Sequence, residues 1–444
     1  MSLRISVAKL AIIVFLATLL LRGMVCYARF DNFVDDPDRY AAIATTIHDS
    51  GVFGIQLDSG GQKPTAFRPP LYPYLLSLFS RSGSLDLTLV AVLHSVLGAI
   101  TVASTFLIAV ILLERPTSLR IPLLAAALAA IDPILVQQST LVMTETLATM
   151  LATLGILAGV HVFGSQQGNG RWLTALLLGG VLALAYLCRP TFLVWAGLIG
   201  MALLVSKSAG GWKRRILVTA LAIVPVMISL GIWTLRNQKT MGHPVWATTH
   251  GGYTLLLANN PSFYEYLRTG RMGFAWDANQ FIEAHKHRYS ADPNEADFWQ
   301  KDWTGLPVKA PASGIGEVED DRVCYEAARA TIDRQGGMFV WSCVVRCARL
   351  WSPFPHQTEQ RGWTTVAVAG VYYVLFYIAA IIGIMKLGKR LLRSNWWPVW
   401  TLAIALSGVH AVYWSNLRMR APIVPALAIL AAAALLRRPK ASGR

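Results

Sequence analysis

The sequence predicts an all-α polytopic membrane protein of about ten transmembrane helices. Interfacial helices are expected in its first long polar loop, and a smaller extracytoplasmic domain further on. Three observations lead there. Apolar residues make up 54% of the 444 residues and charged residues only 14%, against roughly a quarter charged in soluble domains. Several uncharged runs approach the ~20 residues that cross hydrocarbon, and mean hydropathy is +0.46. The runs are continuous rather than alternating, which indicates helices and not a barrel.

The first apolar run, 7–28, follows a short basic start, and its Lys9 and Arg22 can snorkel. No small-x-small cleavage site precedes Arg22, so it reads as a retained signal anchor. A polar stretch, 29–85, leads to a second span between Asp86 and Glu114. The third run, 121–131, stops at Asp132-Pro133, and 133–144 is expected to be re-entrant or interfacial. Glu145 opens the run 146–170, and 172–188, 191–206 and 216–235 follow. From 236 to 362 charges, Pro, Gly and aromatics mix without a membrane-length run; this is the one candidate soluble domain. The runs 363–385, 396–416 and 421–436 close the set before a basic tail. The chain thus divides into a transmembrane core 1–235 with external loop 29–85, an extracytoplasmic domain 236–362, and C-terminal helices with a cytoplasmic tail, 363–444.

The formal net charge is +16. In a soluble protein that would suggest nucleic acid. Here the basic residues cluster at the ends of apolar runs, so topology explains them better and no nucleic-acid partner is expected. Anionic lipid headgroups or an anionic substrate are further readings. Arg115, Arg120, Arg171, Lys207, Lys213, Arg214, Arg215, Lys386, Lys389, Arg390 and Arg393 fall in alternate connections. The positive-inside rule makes those connections and both termini cytoplasmic in a plasma (inner) membrane. Asp36, Glu145, Arg189, Arg236, Arg418 and the large loop then share the outer face.

Several chemistries are excluded. The sequence has no Gly-x-x-x-x-Gly-Lys loop, no Gly-x-Ser-x-Gly elbow and no His-Glu-x-x-His pair. His94, His161, His243, His250 and His356 are scattered. The five cysteines show no metal-ligand spacing; Cys343 and Cys347 can share a helix face, and a disulfide is permitted if that segment is external. No metal site is expected.

Four features can carry chemistry. Asp35, Asp36 and Asp38 lie before an amphipathic stretch, 39–50. An Asp there is commonly an N-cap, yet three cannot all cap, and a partly desolvated carboxylate at a membrane surface suits a general base. Arg68, followed by two prolines, sits on a stiff extended segment and can clamp a phosphate or snorkel to headgroups. Glu145 at a helix end is costly unless paired or functional, although the helix dipole favours it. Arg189, Arg236, Arg418 and Arg420 are helix-end cations on the same face, and with the acids they suggest a site for a diphosphate or phosphate-linked lipid. Trp276, Trp299, Trp303, Trp341 and Trp351 in the large loop suit carbohydrate stacking or a packed core.

In order, these residues resemble a known family. Asp36-Pro37-Asp38-Arg39-Tyr40-Ala41 with Ala44, Gly51-Val52-Phe53-Gly54 and Arg68-Pro69-Pro70-Leu71-Tyr72-Pro73 resemble the amino-terminal signature of the GT-C-fold glycosyltransferases. The branch is that of protein O-mannosyltransferases and lipid A aminoarabinose transferases, the dolichyl-phosphate-mannose-protein mannosyltransferase superfamily. Thr144-Glu145, Arg189-Pro190, Arg236-Asn237 with Gly242, and Arg418-Met419-Arg420-Ala421-Pro422 with Pro425 extend the likeness. The loop 242–362 is not convincingly covered.

The resemblance implies an inverting transferase that moves a hexosyl or pentosyl group from a polyprenyl phosphate in the outer leaflet to a lipid, glycan or protein. It implies Asp36 as base, by its place relative to Arg39-Tyr40. Pro37 stands where relatives often carry a second acid, which leaves Asp35 as an alternative. Glu145 matches the acid of the second external loop. Arg68 falls where the family contacts the donor phosphate, with Arg189, Arg236, Arg418 and Arg420 as further phosphate ligands. Tyr40, Tyr72 and Asn237, within the motifs, are expected to position substrate. Lipid phosphate is a usable leaving group, so no nucleotide is required; the resemblance implies no required cofactor and leaves the part of a divalent metal open. Membrane lipids, donor and acceptor are the expected partners. A transporter or lipid-linked saccharide flippase is the competing class, but the sequence shows neither internal repeats nor paired broken helices. An assembly protein whose large loop binds a partner is the third.

Overall fold

The computed structural model describes residues 2–436 apart from 58–59, 82, 114–118, 165–169, 208–209, 271–272, 310–314, 357 and 359–361. Arg115, the turn 165–169 and the basic tail from 437 therefore lie outside the described residues. The chain is an all-α bundle; among the described residues the strands are two short antiparallel pairs.

Among the described residues, seven helical stretches are long and apolar enough to cross a membrane: Val7–Ala28, Leu87–Leu112, Glu145–Gly164, Arg171–Cys188, Trp212–Met241, Trp363–Leu392 and Leu417–Leu435. The other three expected runs form shorter helices, Arg120–Ile131, Thr191–Val205 and Trp397–Val412. The first stops because Asp132 leaves helical geometry and its carboxylate caps the next helix, Pro133–Gln138, accepting from Ile134 and Leu135 N–H. The second starts only after the Arg189-Pro190 corner. Helix contacts are close where side chains are small. A Cβ on Gly179 would come within 2.5 Å of the Leu221 carbonyl, so that glycine lets the helices Gly170–Cys188 and Trp212–Met241 touch along their backbones.

The 29–85 loop contains two expected helices, Tyr40–Ser50 and Leu71–Ser77. Between them lies a hairpin, Gly54–Gln56 with Gln62–Pro64, in which Gly54 pairs with Pro64. The hydrophobic pattern gave no sign of it.

The polar segment 242–362 is helical as well, with Glu317–Arg334 and Gly336–Trp351 its longest helices. It has its own core of Leu255, Leu256, Phe281, Phe298, Trp299, Trp303 and Cys324. Trp299 and Trp303 are buried there, while Trp341 is exposed. Cys343 and Cys347 are free and half-buried.

Candidate active site

The polar groups of interest gather at one end of the bundle, in two clusters. The first is built on the corner before the helix Tyr40–Ser50. Arg39 adopts a left-handed backbone, φ +58°, rare for a residue with a side chain. Asp36, on one side of that corner, faces the helix start. Its Oδ2 accepts from Ala42 N–H at 3.1 Å, while Oδ1 is shielded and has no hydrogen-bond partner among the described residues. Asp38, next to the corner, faces Arg68. Arg68 Nη2 donates to Asp38 Oδ1 at 2.7 Å, and Arg68 Nε to the Asp38 carbonyl at 2.8 Å. The guanidinium lies over the Phe67 ring at 4.4 Å and the Tyr40 ring at 5.5 Å. Asp35 is exposed.

The second cluster joins three helix ends. Glu145 is the first residue of its helix and only 1% exposed. Arg189, at the corner after the helix Gly170–Cys188, donates to Glu145 Oε1 at 3.0 Å, and Arg418 Nε lies 3.4 Å from the same oxygen. Glu145 Oε2 is buried without a partner among the described residues. Arg189 Nη2 also reaches Met419 Sδ at 3.6 Å, and Arg418 Nη1 reaches Met143 Sδ at 2.8 Å.

Tyr40 and Tyr72 lie between the clusters, edge to face at 5.2 Å. Both are buried, and the Tyr72 hydroxyl pairs with His94 Nε2 at 2.8 Å. Burial pushes the Tyr40 phenol up to about 12, against the opposing pull of Arg68 and Arg189, so it stays neutral. Burial raises the Tyr72 phenol too, helped by the negative charges of Glu145 and Asp36. His250 packs edge-on against Phe67 at 4.7 Å; burial and the Arg68 charge lower it to about 3, so it carries no proton at neutral pH.

Two of the sequence-selected arginines are placed differently. Arg236 donates to the carbonyls of Thr65 at 2.7 Å and Phe53 at 2.6 Å and to Asn237 Oδ1 at 2.8 Å; Asn237 in turn donates to the Val245 carbonyl at 2.7 Å. Arg420 is fully buried, stacks on Tyr373 at 4.1 Å, and donates to the carbonyls of Leu350 and Ser352. Both hold backbone in place. Sequence reasoning missed Glu317, whose carboxylate binds the chain just before Arg68. Nor did it pair Asp38 with Arg68, because a partner thirty positions away leaves no local signal. Among the described residues no group of three His, Cys, Asp or Glu side chains is placed to hold a metal ion.

Residues 67–233 match the model of the dolichyl-phosphate-mannose-protein mannosyltransferase family. No curated protein matches the sequence. Among solved structures, the chain is similar to the archaeal oligosaccharyltransferase AglB from Archaeoglobus fulgidus, in complex with an inhibitory peptide and a dolichol-phosphate. Identity is 15% and the TM-score 0.49, over 95% of this chain and 50% of that one. It is also similar to ArnT from Cupriavidus metallidurans bound to undecaprenyl phosphate, at 12% identity and a TM-score of 0.42, over 94% of this chain and 77% of that one. The chain thus spans about half the length of the first structure. The stretch 67–233, which contributes Arg68, Glu145 and Arg189 to the site, carries the pattern of the dolichyl-phosphate-mannose-protein mannosyltransferase family, and this agrees with the GT-C assignment that the ordered motifs imply.

Proposed function

We propose that the protein is an inverting glycosyltransferase of the membrane's extracytoplasmic face, moving a sugar from a polyprenyl phosphate to a lipid, glycan or protein acceptor. The observation that carries the reading is the half-occupied Asp36 carboxylate. Ala42 N–H fixes one oxygen and so orients the other, which has no partner among the described residues.

In this reading Asp36 Oδ1 takes the proton from the acceptor hydroxyl or amine. The acceptor atom attacks the anomeric carbon, and the bond from that carbon to the phosphate oxygen breaks. The electron pair leaves with the polyprenyl phosphate. Arg68, Arg189 and Arg418 receive the growing negative charge, which is where preorganised cations lower a barrier most. A single displacement inverts the anomeric centre. Glu145 holds Arg189 and Arg418 in place; Tyr40 and Tyr72 form a neutral wall between the clusters. Arg236 and Asn237 shape the hairpin side, and Arg420 anchors 350–352. The cationic connections and both termini are assigned to the cytoplasm, the core 1–235 to catalysis and 236–362 to the outside.

The test uses full-length protein in lipid nanodiscs with polyprenyl-phosphate sugars. Asp36→Asn should lower turnover by about 10²–10⁴, the usual worth of a general base. Its melting temperature should not change, because Asn still accepts from Ala42 N–H. Unchanged turnover would remove Asp36 as the base.

A further inference from the structure

Glu317 opens the helix Glu317–Arg334, in a segment the family match does not reach. An acid in a first helical turn is favoured by the dipole alone. Glu317 does more than that. Its carboxylate accepts from Thr65 Oγ1 at 2.7 Å, Ala66 N–H at 2.6 Å and Thr249 Oγ1 at 2.9 Å. Arg236 approaches the same stretch by bonding the Thr65 and Phe53 carbonyls. Thr65 N–H donates to the Phe53 carbonyl at 3.1 Å, and Thr249 N–H to the Ala66 carbonyl at 3.0 Å. Phe67 N–H closes the turn on Thr65 Oγ1 at 2.9 Å. Every backbone polar group of Thr65 and Ala66 is therefore bonded, and both residues are fully buried.

Arg68 is two residues beyond Ala66, and its guanidinium is held by Asp38. A displacement of Thr65–Ala66 is carried to Arg68, since Phe67 between them is fixed at its amide and against His250. Two tethers thus set Arg68: Asp38 at the head group and Glu317 at the backbone that carries it. The second comes from the 242–362 segment.

We propose that Glu317 is a positioning residue for Arg68, through which the 242–362 segment sets the reach of that guanidinium toward a lipid phosphate. The proposal rests on Arg68 as a phosphate ligand, as in the proposed function. Full-length protein in nanodiscs is titrated with undecaprenyl phosphate, affinity is read by native mass spectrometry, and melting temperature is measured in parallel. Arg68→Ala and Glu317→Ala should each weaken binding about tenfold, because small misplacements of a charged clamp are costly. Glu317→Gln, which keeps one acceptor oxygen, should recover part of the loss. Glu317→Ala should add nothing on an Arg68→Ala background. Wild-type affinity with a lowered melting temperature in Glu317→Ala would overturn the proposal and leave a purely structural tie. If Arg68→Ala itself binds like wild type, Arg68 is not a phosphate ligand; the functional reading of that residue falls, and this role with it. Should Glu317→Ala not fold, Thr249→Val removes one of the three bonds and keeps the backbone, since Thr249 N–H still donates to the Ala66 carbonyl. It should weaken binding about twofold to threefold, and wild-type affinity there would overturn the proposal equally.

Discussion

The two arginine–carboxylate clusters join the same chemical groups in opposite surroundings. Asp38 and Arg68 sit in a loop, with side chains 23% and 12% exposed, and the arginine is tethered at both head group and backbone. Glu145 is 1% exposed at a helix start and faces two cations, one of its oxygens having no partner among the described residues. The loop pair is defined by hydrogen bonds and tolerates water. The helix-end cluster is defined by burial, where an unmatched charge is expensive. In the proposed transfer reaction the loop pair is the grip on the substrate phosphate, and the helix-end cluster the fixed field behind it.

The comparison breaks most visibly at Arg189. Arg189→Met leaves the buried Glu145 with Arg418 alone and should cost about 3–5 kcal/mol, read as a large fall in melting temperature. Adding Glu145→Gln to that variant should restore much of the loss, because the stranded charge goes with it. Asp38→Asn removes one charged partner from Arg68 but keeps an acceptor, and should cost about 1–3 kcal/mol with a raised donor KM. No rescue is expected from a second change there. If both clusters respond alike, burial is not what separates them.

The smallest effect serves as a control outside both clusters. Asp321 accepts from Gly252 N–H at 2.6 Å, and burial pushes its carboxyl up from 3.8 to about 6, with Asp320 and Glu317 adding repulsion. Its folded form favours the proton, so its contribution to stability is complete below about pH 4 and is lost as pH rises through about 6. Asp321→Asn should therefore match the wild type near pH 4 and exceed it by on the order of 1 kcal/mol at pH 7.5 in thermal unfolding. Transfer activity should be unchanged.

Much of the fold was legible because hydrocarbon imposes length and composition on a helix. The early stop at Asp132-Pro133 was visible for the same kind of reason, a cap followed by a residue that starts helices. The hairpin at 54–64 was not, since its strands are short and polar and draw their order from Glu317 and Arg236. In the site, Glu145 and Arg189 stood out as charges at membrane-helix ends, which need partners. Which cation met which acid was not legible. Arg236, Arg418 and Arg420 are alike in sequence context, yet only Arg418 turns to a carboxylate; the other two are captured by carbonyls that come from distant turns.

The Glu317 tie has a consequence for how such proteins can be recombined. A chimaera that takes only the 242–362 segment from another chain would bring no guaranteed acceptor for Thr65 Oγ1 or Ala66 N–H, both buried. The unit of exchange is therefore not the polar segment as the hydropathy profile outlines it. It is that segment together with the hairpin and the residues leading into Arg68, two stretches far apart in the chain that have to be swapped as one.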